Sequence, residues 1–164
     1  MDIGPWSVTD EESLVACYDQ SVQHVYRYAS RFTGNDRART DDLVQEVYLG
    51  LVKAARGGLG EVGIGWLCTS VRHRFLDRVR GEQREVRRLR LIVSPTEEHT
   101  SDETVDVPGL AELPDRERAA LVLRYLDDLS VPEVAATMDL TVHATESLLA
   151  RARRRLRGQE VRDA

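Results

Sequence analysis

The sequence predicts an all-α protein: two small helical domains joined by a flexible acidic linker. Three observations point there. Aromatic residues make up only 5% of the 164, fewer than a single all-β core of that size usually carries. Apolar residues recur at three- and four-residue steps over long stretches, the helical period. Between two such stretches, residues 93–109 (VSPTEEHTSDETVDVPG) hold turn formers and acids without any periodicity, the composition of a solvated linker. The expected division is therefore 10–92, 93–109 and 110–160.

The helices follow in order. From residue 9 to 56 the pattern is helical, with Leu14, Tyr18, Val22, Val25 and Ala29 as a first apolar stripe. The GND at 34–36 is a stop-and-turn signal. A second helix is expected to open near Asp41 and Asp42 and run to about Ala55. Leu43, Val44, Val47, Tyr48, Leu51 and Val52 face inward, and Asp42, Glu46, Leu49, Lys53 and Arg56 face out. GGLGEVGIG at 57–65 reads as a loop; it lacks the GK[ST] ending of a phosphate-binding loop. A long helix should follow from about Gly65 to Leu91, burying Trp66, Leu67, Val71, Phe75 and Val79.

Beyond the linker, LPDRERAALVLRYLDD reads as a helix with Ala119, Leu123 and Leu126 buried. Ser130 and Glu133 then form a capping box, and Pro132 sits in the first turn, where its missing N–H costs little. That helix spans 131–138 and ends at Met138, Asp139 and Leu140. Thr141 caps the next one. A short helix, a tight turn and a longer helix with a basic tail make a helix-turn-helix.

Charge narrows the function. The chain has 23 basic and 28 acidic residues, a net charge of −5, which by itself argues against nucleic acid. The distribution reverses that reading. Residues 72–90 hold eight arginines against Asp77, Glu82 and Glu85, and RARRRLR at 151–157 holds five arginines and no acid. Residues 91–113 hold six acids and no base. Two basic surfaces separated by an acidic segment suit nucleic-acid contact. No apolar run approaches the roughly 20 residues of a membrane span. The acidic start MDIGPWSVTDEE is not that of a secretory signal, so the expected location is the cytoplasm, without membrane insertion. Two lone cysteines, Cys17 and Cys68, make neither a zinc site nor a disulfide framework.

The helix 142–156 would enter the major groove, presenting Glu146, Ser147, Ala150 and Arg151 to bases. Arginine can bond guanine bidentately and glutamate can accept from cytosine. Arg153, Arg154, Arg155 and Arg157 would hold phosphates. Asp41, Asp42 and Glu46 lack a histidine partner and read as a protein-contact or solvated face rather than a metal site. His73 has no nucleophile or carboxylate partner in a catalytic pattern, and His24, His99 and His143 are scattered. Trp66, at a loop–helix junction, either stacks on an unpaired base or packs in the core, the commoner role for a lone tryptophan. No catalytic residue, cofactor or metal ligand set is expected.

These residues resemble a known family. DDLVQEVYLGLVKAA (41–55) resembles the region 2 signature of bacterial sigma-70 factors, and WLCTSVRHRFLDRVR (66–80) the helix that follows it. LAELPDRERAALVLRYLDDLSVPEVAATMDLTVHATESLLARARRRLR (110–157) resembles their region 4. The order and shortness match the extracytoplasmic-function group, which keeps regions 2 and 4 alone. The resemblance implies a promoter-specificity subunit of RNA polymerase. Asp42, Gln45 and Glu46 would dock on the β′ clamp helices. Trp66, Arg72, His73, Arg74, Arg78 and Arg80 would open and hold the −10 element. Glu146, Ser147, Ala150, Arg151, Arg154 and Arg155 would read and grip the −35 element, with the first helices of region 4 near the β flap. The implied partners are core RNA polymerase, promoter DNA and a cognate anti-sigma factor.

The sequence departs from the family pattern at the reading helix. Where the family reads close to GTVKSRL, residues 143–149 read HATESLL, so Glu146 and Leu148 replace basic residues. His73 replaces the usual asparagine. The linker has adequate reach: its 17 residues extend to about 55–60 Å, on the order of 16 base pairs. Two other readings compete. A stand-alone LuxR-type helix-turn-helix regulator leaves DLVQEVYLGLVKAA unexplained, and an enzyme lacks a nucleophile or metal constellation.

Overall fold

A computed structural model describes residues 4–88 and 107–163. The N-terminal part is β1 (Trp6–Ser7), α1 (Glu11–Thr33), α2 (Arg37–Arg56), β2 (Glu61–Val62) and α3 (Ile64–Arg88). The C-terminal part is α4 (Asp115–Leu121), which runs on as a π-helical turn (Val122–Leu126), then α5 (Val131–Met138) and α6 (Val142–Asp163). The expected linker falls largely outside the described residues, of which only 107–109 belong to it.

Local chemistry sets the helix ends. Asp10 caps α1 by accepting from the Ser13 amide at 2.8 Å, and Glu11 and Glu12 favour the positive end of the helix dipole. Gly34 ends it with φ +65°, the left-handed conformation glycine adopts without penalty. Asp36 then caps α2 through the Arg39 amide at 3.1 Å. The second helix therefore opens several residues before the expected Asp41 and Asp42, which sit inside it. The cap stands directly behind the turn, and the Thr40 hydroxyl, bonded to the Asp36 carbonyl at 2.7 Å, secures the first turn.

Helices α1, α2 and α3 pack around Val25, Phe32, Leu43, Val47, Leu51, Leu67, Val71 and Phe75, all buried. Cys17 is buried as a small core residue, whereas Tyr18 of the expected stripe is 45% exposed. The stripe of α1 is rotated, running through Cys17, Ser21, Val25, Tyr28, Ala29 and Phe32. Trp66, expected inside, is 36% exposed because it stands in the first turn of α3. The glycine-rich segment is more than a loop. Its Glu61 and Val62 pair antiparallel with Ser7 and Trp6, and Val8 donates to the Gly60 carbonyl at 3.0 Å. Trp6 and Val8 are buried, and the Trp6 indole donates to Gln20.

In the C-terminal part, Ser130 and Glu133 form the expected capping box, and Thr141 caps α6 by accepting from the Ala144 amide at 3.1 Å. Between α5 and α6, Asp139 takes the left-handed conformation at φ +56°, which makes the turn tight. One expectation is corrected. Leu126 is 37% exposed while Leu123 is buried. The π-helical turn, marked by the Asp127 amide bonding five residues back to the Val122 carbonyl, shifts the register so that Leu126 leaves the buried side.

The two parts pack against each other. Arg118, 1% exposed, donates to the Leu110, Ala111 and Leu113 carbonyls, to Asp115 and, at 2.7 Å, to the Phe32 carbonyl in the last turn of α1. All five N–H groups of the guanidinium are thereby satisfied. A cation at a helix C-terminus also meets carbonyls that lack partners within the helix. Asp115 takes a two-pronged bond from Arg39, at 3.1 and 2.6 Å. Burial opposes charge on Asp115, yet Arg39 and Arg118 hold its carboxyl below the ordinary 3.8.

Candidate polymerase and nucleic-acid interfaces

The α2 site is built on the outer side of that helix. Leu43, Val44, Val47 and Leu51 are buried, which leaves Asp42 and Gln45 exposed and Glu46 half-buried on the opposite side. Arg78 of α3 donates to Glu46 at 2.5 Å. Leu49, 60% exposed, stands beside these polar groups. A groove of about 430 Å³ opens there, lined among others by Tyr18, Val22, Asp41, Gln45, Tyr48 and Leu49. The face is thus acidic and polar at its rim and apolar in its trough.

The α3 residues do not form one free basic surface. His73 and Trp66 are exposed. Arg74 packs against Gly50 of α2, where a side chain would collide with its guanidinium. Arg78 turns onto Glu46. Arg72 lies 3.5 Å from Asp127, and Arg80 donates to the Thr137 carbonyl at 3.1 Å. Cys68, near Arg72 on the same helix, is pushed up to about 11 by burial and by the Asp127 charge, so it is a neutral thiol at physiological pH.

The α6 site is the cleanest. Thr145, Leu148, Leu149 and Ala152 are buried against α4 and α5. His143, Glu146, Ser147, Ala150, Arg151 and Arg154 are all exposed. Their three- and four-residue spacing puts them on one stripe of the helix. His143 joins this stripe in the first turn; its sequence neighbours gave no signal, and only the helix phase places it. Arg155 lies off the stripe, with Nε 3.2 Å from the Glu117 carboxylate, which is 6% exposed. Arg153 also turns aside, donating to the Tyr125 hydroxyl at 2.8 Å.

Two segments match known families: residues 17–85 match sigma-70 region 2, and residues 110–156 match sigma-70 region 4. The extracytoplasmic-function RNA polymerase sigma factor SigK of Mycolicibacterium vanbaalenii is 34% identical over 139 residues, covering 77% of this chain and 70% of that protein. The chain belongs to the extracytoplasmic-function sigma factors. Another relative, the sigma factor SigM of Bacillus subtilis, is 28% identical over 149 residues, 85% of this chain and 90% of that protein. Among solved structures, the sigma factor RpoE of Bartonella quintana, crystallised with the anti-sigma factor NepR, superposes with a TM-score of 0.52 at 20% identity. It covers 94% of this chain and all of that one, and the likeness concerns the fold alone. As a sigma factor, the protein is a DNA-binding subunit that directs transcription initiation. Among the described residues, no helix is long and apolar enough to cross a membrane.

Proposed function

We propose that this sigma factor docks on core RNA polymerase through the Asp42, Gln45 and Glu46 face of α2, opens and holds the −10 element along α3, and reads the −35 element with α6. The single observation that carries the reading is the exposed stripe His143, Glu146, Ser147, Ala150, Arg151 and Arg154, seated on a capped helix-turn-helix. A helix presented this way enters the major groove by its N-terminal end. There Arg151 bonds a guanine edge and Glu146 accepts from a cytosine amino group. Arg154, further along, grips phosphate.

On α2, Leu49 and the apolar groove beside Gln45 suit an amphipathic partner helix, and the acidic rim suits its basic residues. The β′ clamp helices are the expected occupant. On α3, Trp66 offers a ring face for an extruded base, and Arg72, His73, Arg74, Arg78 and Arg80 supply charge for the displaced strand. The chemistry of RNA synthesis belongs to the polymerase; this subunit contributes no catalytic residue, metal or cofactor. It works in the cytoplasm, with core polymerase and promoter DNA as partners and an anti-sigma factor as its inhibitor. A stand-alone regulator leaves the region 2 match unexplained.

A fluorescence titration of labelled protein with core polymerase tests the docking. Saturable binding that Asp42→Arg weakens is expected. Binding to duplex promoter DNA alone, with no affinity for core polymerase, would favour the stand-alone regulator instead.

A further inference from the structure

Segment 57–65 carries five glycines in nine residues, and of these only Gly58 takes a positive φ, +106°. Glycine loses more conformational freedom on folding than any other residue, so such a segment does not hold one shape by itself. Here it is braced from outside. β1 runs along it antiparallel, with Trp6 opposite Val62, Ser7 opposite Glu61 and the Val8 amide bonded to the Gly60 carbonyl. Gly4 continues the contact: a Cβ there would lie 3.1 Å from the Trp6 ring and 3.5 Å from the Gly63 Cα. The brace is itself anchored. Trp6, Val8 and Val62 are buried, and the Trp6 indole donates to the Gln20 side chain of α1 at 2.9 Å. Gly63 then starts α3, its carbonyl accepting from the Trp66 amide at 3.1 Å and from the Leu67 amide at 3.4 Å. A continuous path therefore runs from Gln20 through Trp6, Val62 and Gly63 to Trp66.

We propose that β1 is a positioning element of the −10 site: by pinning residues 60–63 it fixes where Trp66 presents its ring to an extruded base. The inference rests on the role of Trp66 proposed above. Trp6 and Val8 are buried and act through the strand pairing, not by touching nucleic acid. Stacking on an aromatic ring tolerates any base. Preference at an extruded position therefore comes from how the backbone and side chains around the ring meet the base edge. A braced segment meets that edge in one geometry, an unbraced one in many. The docking residues Asp42, Gln45 and Glu46 stand on α2, outside this path. Loss of the brace thus costs base preference and spares docking.

The test uses holoenzyme assembled from the full chain and core polymerase. Its templates are the selected promoter and a set that each carry one substituted −10 base pair. The ratio of run-off transcripts from the selected and a substituted template, measured in one reaction, reports base preference whatever fraction of the chain is folded. At the position the wild type reads most strongly, Trp6→Ala should lower that ratio about five-fold. Its affinity for core polymerase, followed by fluorescence titration, should stay near the wild-type value. Gln20→Leu, at an exposed site on α1, removes only the anchor of the indole. It should lower the ratio by less, and it decides the matter if Trp6→Ala loses its helical circular dichroism. A cross-link provides the rescue. Because Val8 bonds Gly60, Ser7 and Glu61 form the neighbouring non-hydrogen-bonded pair, in which side chains stand closest. Ser7→Cys with Glu61→Cys, added to Trp6→Ala, should restore the ratio when oxidised and lose it again when reduced. A folded Trp6→Ala chain that keeps the wild-type ratio, or a formed cross-link that raises the melt but not the ratio, makes β1 a structural strand and overturns the proposal. A wild type that transcribes every substituted template equally sinks the −10 role of Trp66, and the positioning role with it. A wild type that never directs a transcript sinks the proposed function as a whole.

Discussion

Arg78 Nη2 and Glu46 Oε1 stand 2.5 Å apart, so one ion pair ties the docking helix α2 to the basic helix α3. Glu46 therefore has two roles that a single substitution mixes. Asp42 is exposed on the same face. Asp42→Arg should weaken core polymerase binding and leave the thermal melt unchanged. Glu46→Arg should weaken binding too, but it also sets two guanidiniums against each other and should cost about 0.5–1 kcal/mol of stability. Equal melts for the two variants, with equal loss of binding, would show that the pair contributes nothing to the fold.

Three arginines of α6 should behave in three ways. Arg151→Ala should lose about 1–3 kcal/mol at one base position and relax preference there. Arg154→Ala should weaken all promoters alike and reduce the salt slope by roughly one unit. Arg155→Ala leaves the buried Glu117 carboxylate without its cation and should lower stability by about 1–3 kcal/mol. Selections from randomised −35 sequences, salt titrations and melts separate the three. If Arg151→Ala lowers every sequence equally, Glu146 or Ser147 becomes the reading residue.

Trp66 stands at the first turn of α3 with 36% of its surface exposed. Trp66→Ala should cost about 1–2 kcal/mol, less than a fully buried ring. Permanganate footprinting of the folded variant should show a closed promoter that no longer opens. Normal opening would restrict Trp66 to packing.

The Asp115 carboxyl is held below 3.8 against burial by Arg39 and Arg118. A depressed folded value stabilises the fold above the unfolded value, and that contribution fades as pH falls through the folded one. Asp115→Asn should therefore melt below the wild type at pH 7, and the gap should close below about pH 4. Comparing the two chains removes the other acids of that range, such as Asp10 and Glu133, whose backbone hydrogen bonds also lower them. A gap that does not change with pH would mean that the carboxylate charge does not fasten the two parts.

What was legible in the sequence was local. Ser130, Glu133 and Thr141 announce their helix starts within three or four residues; α5 keeps the expected 131–138, and α6 opens at the expected 142 but runs on to Asp163, past the expected 156. The non-local features were not. The pairing of Trp6–Ser7 with Glu61–Val62 joins segments far apart in the chain, and strands of two residues leave no alternation to detect. The π-helical turn that exposes Leu126 depends on one bond register, which composition does not encode. Nothing in DRER singles out Arg118, yet it is buried at the junction because five oxygens meet it there. The same holds for the acidic and basic surfaces. Their residues were evident, but not that Asp127 faces Arg72 or that Glu46 holds Arg78.

As a sigma factor, this chain gives core RNA polymerase its promoter choice. Run-off transcription with purified core polymerase, on templates recovered by selection with the full chain, measures it most directly. Transcripts of one defined length are expected, which require both the chain and its selected −35 and −10 elements and which Asp42→Arg suppresses. Sequence-specific DNA binding by the chain alone, with no such transcript at any ratio of chain to core polymerase, would contradict it.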